Sequence, residues 1–166
     1  MPKATTKTIL ALDPGLRDLG YAILRGRSLI ESGVLPLRLL PSKQRLPAAV
    51  KAIGDWIGQF RPSIVVLEAT HPNGVTSLDR VDRLARRVRR MAALKGLTVA
   101  SYAPQTVRKS LVGHGWANKR QTAEAIAGRL PALRVYLTQD RRWKEAYFQN
   151  MFDAVALALH HQATAA

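Results

Sequence analysis

The sequence predicts an α/β fold: a mixed five-stranded sheet, three antiparallel strands followed by parallel ones, with helices on both faces. Three apolar runs near the start are separated only by turn residues, which is typical of an antiparallel meander. Two later apolar runs alternate with helical patterns, which favours parallel strands joined by helices. The chain has 166 residues, of which 47% are hydrophobic, enough for one domain with a substantial core. We therefore expect a single domain spanning residues 1–166.

The first half of the chain contains four of the predicted strands. The meander consists of TILAL at 8–12, LGYAIL at 19–24 and SLIESGVL at 28–35, with turns at Pro14-Gly15 and Gly26. Residues 35–47 are rich in proline and basic residues, so we predict a loop there. Apolar residues at helical spacing predict a helix over about 48–60, which Arg61-Pro62 ends. The continuous β-branched run SIVVLE at 63–68 is typical of a buried central strand.

The second half contains one strand and most of the helices. Ser77 is a suitable N-cap for a long helix reaching about Lys95, and Gly96 ends it. A strand at 97–102 precedes a helix that Pro104 can begin, and Asn118 can cap a further helix to about Leu130. Residues 131–148 are polar and lack clear periodicity, so we interpret them as an excursion or flexible loop. The last helix is predicted over about 150–162.

The charge balance indicates the kind of partner. Lys and Arg number 26 against 11 Asp and Glu, for a net charge of +15, and such an excess is usually balanced by a polyanion. Nucleic acid is the first interpretation and an anionic membrane surface the second. The chain has no cysteine, which excludes disulfide and cysteine chemistry. Its first apolar run is too short for a signal peptide or a membrane span, so we expect a soluble, cytoplasmic protein without a membrane partner.

Three acidic residues at separate places carry the functional prediction. Asp13 and Glu68 each close an apolar run predicted to be a strand, and Asp153 opens the apolar part of the last helix. A fold that brought them to one end of a sheet would create a repulsive carboxylate cluster, which a divalent cation stabilises. Such oxygen ligands suit Mg²⁺, with Mn²⁺ as the alternative, and carboxylate-held metal pairs cut phosphodiester bonds. A basic protein with an acidic metal site is the combination a nuclease needs.

Each acid also has a structural interpretation. Asp13 precedes Pro-Gly and is a common turn residue, and Glu68 can end a buried strand where the strand meets solvent. Asp153 suits a helix N-terminus, where the macrodipole favours a negative charge. Asn150 lies three residues before Asp153, so the two share one helix face.

Basic residues flank a glycine-containing loop between the two short helices. Arg108 precedes this loop and Lys119 follows it, and glycine lets the backbone approach a phosphate closely. We therefore predict DNA contact at both residues. Trp116 within the loop suits either base stacking or packing against its own loop.

The order of elements is that of the ribonuclease-H-like fold, and four blocks of sequence carry a resemblance over nearly the whole chain. LALDPGLRDLGYAIL, IVVLEAT, YAPQTVRKSLVGHGWANKRQTAEAIA and NMFDAVALALHH resemble, in order and spacing, the motifs of the RuvC-type Holliday-junction resolvases. The resemblance implies a metal-dependent endodeoxyribonuclease of DNA recombination and repair. Such an enzyme is a homodimer that cleaves four-way junctions by paired nicks and leaves 5′-phosphate ends.

The resemblance also implies roles for individual residues. Asp13, Glu68 and Asp153 correspond to metal-binding catalytic carboxylates, and Asn150 stands where the family usually has a fourth acidic or histidine ligand. Arg108 and Lys119 correspond to basic positions that contact DNA. An aromatic residue that inserts beside the junction corresponds to the neighbourhood of His71.

Two alternatives stay open at this point. One is a phage or mobile-element nuclease of the same fold that acts on flaps or other branched DNA. The other is a junction-binding protein with weak activity, because Asn150 brings no charge to the predicted metal site.

Overall fold

A computed structural model describes residues 6–69, 76–138 and 142–165. Its single five-stranded sheet, as far as these residues show, has the order β3-β2-β1-β4-β5. The strands are β1 Thr8–Asp13, β2 Leu19–Arg25, β3 Ser28–Leu35, β4 Ile64–Glu68 and β5 Thr98–Tyr102. β1 pairs antiparallel with β2, and β2 with β3, whereas β1 and β4, like β4 and β5, run parallel. The predicted α/β class and mixed five-stranded sheet are confirmed.

Helices cover both faces of this sheet. They are α1 Ser42–Phe60, α2 Thr76–Leu94, α3 Pro104–Val112, α4 Lys119–Arg129 and α5 Arg142–Thr164, with short 3-10 helices at Leu37–Leu39 and Pro131–Tyr136. One apolar core joins the sheet to α1 and α2, and a second core joins the opposite face to α3, α4 and α5. The central strands β1 and β4 are therefore apolar on both faces, which explains their continuous hydrophobic runs.

The last helix packs unusually close to the second strand. A Cβ added at Gly20 would lie 1.9 Å from the backbone oxygen of Asn150, so only glycine permits this approach of α5 to β2. Most residues of Met151–Ala158 are buried, and they fill the core beneath the sheet. This packing fixes the position of Asn150 and Asp153 relative to the strand ends.

The predicted start of the first long helix was wrong. The helix begins at Ser42, directly after Pro41, and contains Pro47 within its early part, where the sequence argument had placed a loop over 35–47. Pro47 is the sixth residue of this helix, so it lies beyond the first turn and removes one i→i−4 hydrogen bond. The Arg45 side chain also donates to the Leu40 carbonyl and holds the helix start.

The predicted excursion at 131–148 was wrong for most of its length. Residues Pro131–Tyr136 form a 3-10 helix and α5 already begins at Arg142, while residues 139–141 lie outside the described part. Tyr147 donates to the Val34 carbonyl, and the Phe148 ring contacts that of Tyr136. These tertiary contacts stabilise a helical turn that has no periodic apolar pattern of its own.

Other element boundaries agree closely with the expectation. Pro104 stands at the start of α3, and Gly96 and Gly113 follow their helices with positive φ. Helix α2 already includes Thr76, the residue before the expected cap Ser77. Within the described residues, no helix is both long and apolar enough to cross a membrane.

Candidate active site

Two of the predicted carboxylates end neighbouring parallel strands. β1 and β4 pair in the register Leu12–Leu67, so Asp13 and Glu68 follow at equivalent positions, roughly 5 Å apart along the backbone. Side chains alternate along a strand, which puts both acids on the sheet face that carries Ala11 and Val66. That face is the one covered by α5.

The third carboxylate comes from the helix on this face. Asp153 lies well inside α5, eleven positions after its start at Arg142, so its interpretation as a helix N-terminal acid was wrong. Asp153 and Glu68 line one narrow cavity of about 20 Å³ together with Arg108. The fold thus brings the three acids together at the carboxyl ends of two parallel strands.

Burial and repulsion from neighbouring acids strongly raise the pKa of Asp13. Burial first, and then the charges of Asp153 and Glu68, raise the pKa of Asp13 to about 8, against a smaller opposing effect of Lys119. Burial likewise raises the pKa of Asp153, although Lys119, Gln149 and Arg108 favour its charged form. Ionising these acids in the folded protein therefore lowers its stability.

Two polar neighbours engage the oxygens of Asp153. The Gln149 side-chain amide donates to Oδ1 at 2.9 Å, and Lys119 Nζ lies 3.8 Å from Oδ2. The Lys119 side chain is 60% exposed, so it can reach outward as well as toward Asp153. Within the described residues, no three acidic or histidine side chains converge closely enough to surround one metal ion. The metal set of Asp13, Glu68 and Asp153 therefore stays a prediction.

The turn after Asp13 is held by polar contacts from distant parts of the chain. The Arg38 guanidinium binds both carboxylate oxygens of Asp18 at 2.5 and 2.6 Å. The Asn150 side chain donates from Nδ2 to the Asp18 carbonyl at 3.0 Å. A Cβ at Gly15 would lie 2.4 Å from that same carbonyl oxygen, so glycine is required here. Asn150 is thus positioned in mid-helix between the turn and Asp153, three residues away.

The basic residues predicted to contact DNA flank this acidic site. Lys119 is the first residue of α4, and the Asn118 side chain caps that helix by accepting from the Gln121 backbone N–H. The cap predicted at Asn118 is confirmed. Arg108, on α3, lines the same cavity as Glu68 and Asp153. His71 lies outside the described residues.

Sequence reasoning missed three residues of the site. Nothing in the sequence signalled the pairing of Asp18 with Arg38, because they are far apart and lie in predicted loop regions. Gln149 stands four residues before Asp153, a spacing at which helical side chains meet. That signal was lost because the helix was predicted to begin only at residue 150.

Comparison with known proteins decides the family. The sequence profile of "Crossover junction endodeoxyribonuclease RuvC" matches residues 9–161. The RuvC of Rhodopseudomonas palustris (strain BisA53) is 32% identical, over 99% of this chain and 94% of its own. This chain belongs to the RuvC family of crossover junction endodeoxyribonucleases. The RuvC of Bradyrhizobium sp. (strain ORS 278) is similar too, with 34% identity over 92% of this chain and 85% of that protein.

Solved structures agree with this assignment. Thermus thermophilus RuvC in complex with Holliday junction substrate superposes with a TM-score of 0.77 and 25% identity, covering 96% of this chain and 94% of that one. The predicted RuvC-type family, ribonuclease-H-like fold and enzyme class are confirmed.

Proposed function

We propose that this RuvC-family chain cuts four-way DNA junctions at the site formed by Asp13, Glu68 and Asp153. The observation that carries the proposal is the placement of these acids at one edge of the sheet, with Arg108 and Lys119 next to Asp153. Acids alone would repel DNA, whereas basic residues around an acidic centre attract the phosphate backbone and leave the centre free for chemistry. The Thermus thermophilus relative, which was solved in complex with a Holliday junction substrate, supports the same substrate class.

A divalent metal, Mg²⁺ or Mn²⁺, would be held by Asp13, Glu68 and Asp153. Their oxygens are the hard ligands that these ions prefer, and the cavity between Glu68 and Asp153 has room for about one water-sized ligand. Burial first, and then repulsion from Asp153 and Glu68, raise the pKa of Asp13, and a nearby cation would offset both effects. When bound, the metal would supply an activated water and charge stabilisation at the phosphate.

The chain's own residues would then hold the DNA in place. Lys119 is exposed enough to leave Asp153 and bind a phosphate, and Arg108 lines the same cavity as that carboxylate. Two cations beside the acidic centre would align the strand to be cut. The Arg38–Asp18 pair and Asn150 would fix the turn that carries Asp13.

The substrate's symmetry supports a homodimer. A four-way junction is cut symmetrically when two equal sites act on two strands, and a two-fold assembly of this chain would supply them. Each nick would leave a 5′-phosphate end that ligase can join.

A second candidate function is junction binding with weak activity, and the neutral Asn150 favours it. A third is cleavage of flaps by a nuclease of phage or mobile-element origin. The deciding experiment offers the protein a four-way junction, a flap and a duplex of identical arm sequence, with Mg²⁺, and measures both affinity and cutting. We expect junction-selective cutting. Tight binding without cutting would favour the second candidate, and preferred flap cutting the third.

Asn150 variants should separate a ligand from a positioning residue. Asn150→Ala removes the donor to the Asp18 carbonyl and should lower the free energy of unfolding by about 1 kcal/mol. It also removes the amide oxygen, so half-maximal cutting should need more Mg²⁺. Asn150→Asp loses the same donor but adds a charge, so it should need less Mg²⁺ than the wild type. If all three proteins give one Mg²⁺ titration curve, Asn150 only positions the turn.

Neutralising the flanking cations should change the salt dependence of binding. Arg108→Ala and Lys119→Ala should each weaken junction binding and lower the slope of log affinity against log salt by about 0.9. Lys51→Ala is the matched control, because Lys51 is exposed on α1, across the sheet, and pairs with Asp55. Its slope should equal that of the wild type. Unchanged slopes for Arg108→Ala and Lys119→Ala would remove these residues from the DNA interface.

A further inference from the structure

The loop between α3 and α4 presents an aromatic side chain that the chain does not cover. Trp116 is 85% exposed, and its ring stacks on His114 with centroids 5.3 Å apart and an interplanar angle of 28°. Trp56, by comparison, is partly buried and stacks on Tyr21. One face of the indole is therefore supported by a second ring while much of its surface meets solvent.

The loop backbone is anchored on both sides of this aromatic pair. Gly113 ends α3 with φ +103°, and its N–H bonds to the Lys109 carbonyl. On the other side, Ala117 is buried and Asn118 caps α4. A short, anchored loop loses little conformational entropy when a ligand binds, which suits a recognition surface.

A cavity of about 480 Å³ opens beside the pair. Its walls are Gln105, Thr106, Lys109, Gly113, His114 and Trp116. This volume lies within the roughly 300–1,000 Å³ of small-molecule sites. The ring atom Nδ1 of His114 is buried, and it has no hydrogen-bond partner among the described residues. Such atoms are uncommon in folded proteins, so this wall holds unused hydrogen-bonding capacity. Lys109 adds a positive charge.

The pair also lies a short stretch of chain from Lys119, the lysine next to Asp153. Trp116 stands three residues before Lys119, whose Nζ is 3.8 Å from Asp153 Oδ2. Consecutive Cα atoms are about 3.8 Å apart, so the Cα atoms of Trp116 and Lys119 are separated by about 11 Å at most. That span corresponds to roughly three base steps along one strand.

We propose that His114 and Trp116 form a stacking platform for an exposed DNA base near the strand to be cut. The inference rests on the proposed function and deepens it, because it assigns the recognition of an unstacked base at the branch point. A base would lie on the open face of Trp116 with its phosphate near Lys109. A base offers a flat π surface whatever its sequence, so the platform would select junction structure over uninterrupted duplex, whose bases are all stacked.

Trp116→Ala and Trp116→Phe test the platform. Loss of one base stack should weaken binding to a four-way junction by roughly 5- to 150-fold for Trp116→Ala. Binding to a duplex and the salt slope should stay as in the wild type, because no phosphate contact is lost. Trp116→Phe keeps a ring and should recover most of the affinity. Leu94→Ala is the control, because Leu94 is 80% exposed at the opposite end of the sheet, and it should bind as the wild type.

A direct readout uses 2-aminopurine placed at each of the four nucleotides on either side of the branch. Stacking on Trp116 should quench the fluorescence of 2-aminopurine at one of these positions in the wild type and in Leu94→Ala, but not in Trp116→Ala. Equal junction affinity of Trp116→Ala and wild type would overturn the inference, as would a change in the salt slope or equal losses in the Ala and Phe variants. A wild type that neither binds nor cuts junctions would overturn the proposed function as well.

Discussion

Asp13→Asn, Glu68→Gln and Asp153→Asn should each abolish junction cutting while junction binding survives or tightens. Each change removes one charged oxygen ligand from the predicted metal site. Mutating a group that merely supports a metal ligand costs up to about 100-fold, so losing a ligand itself should cost at least that much. Binding should not suffer, because the substitution also removes repulsion between the site and the DNA phosphates.

We would check this expectation by measuring initial cutting rates at saturating Mg²⁺, together with junction affinity, for the same proteins. Asp55→Asn is the matched control, since Asp55 is an exposed acid on α1 that pairs with Lys51. Its cutting rate should equal that of the wild type. Full activity in any one of the three site variants would remove that residue from the catalytic set.

Asp13→Asn should also make the metal-free protein more stable. The pKa of Asp13 rises from 3.8 to about 8 on folding, so between these values the native state keeps a proton that the unfolded chain has lost. Stability then falls as pH rises through this window, by up to about 1.4 kcal/mol per pH unit. Above pH 8 the accumulated cost is on the order of 5 kcal/mol. Asparagine carries no charge, so the variant avoids this free-energy cost.

Thermal unfolding in the presence of a chelator checks whether Asp13→Asn stabilises the metal-free protein. The variant should melt above the wild type by roughly 5–10 °C at pH 8, taking about 2–4 °C per kcal/mol and allowing for relaxation around the buried acid. The difference should shrink toward pH 4, where Asp13 is protonated in the native state and increasingly in the unfolded chain. A difference that is the same at pH 5 and pH 8 would mean that the stabilisation does not come from the ionisation of Asp13.

The acids of the strand ends were predictable from sequence for a specific reason. TILALD and IVVLE are continuous apolar runs that stop at an acid, and buried parallel strands have this pattern. Their carboxyl ends meet at one edge of the sheet, so Asp13 and Glu68 could be placed side by side without coordinates. The cap at Asn118 was equally local, because an Asn before a helical run with Gln three positions on is a capping signature.

The surroundings of the site could not be predicted because they depend on tertiary contacts. Asn150 binds the Asp18 carbonyl across 132 positions of sequence, and nothing local to either residue signals this contact. The early turns of α5 are helical because Tyr147 and Phe148 pack against distant elements. Periodicity alone therefore predicted a helix that begins too late in the sequence. Because Gln149 lay outside that predicted helix, neither its contact with Asp153 nor the mid-helix position of Asp153 could be predicted.

We expect the carboxylate site to cut branched DNA only when it holds a divalent metal. The most direct test follows strand nicking in a four-way junction and in a duplex of the same arm sequence, using wild-type protein first stripped with chelator and then given Mg²⁺. We expect no cutting after stripping, and paired nicks with 5′-phosphate ends in the junction alone once Mg²⁺ returns. Nicking of the junction by the stripped protein, or equal cutting of junction and duplex with Mg²⁺, would contradict it.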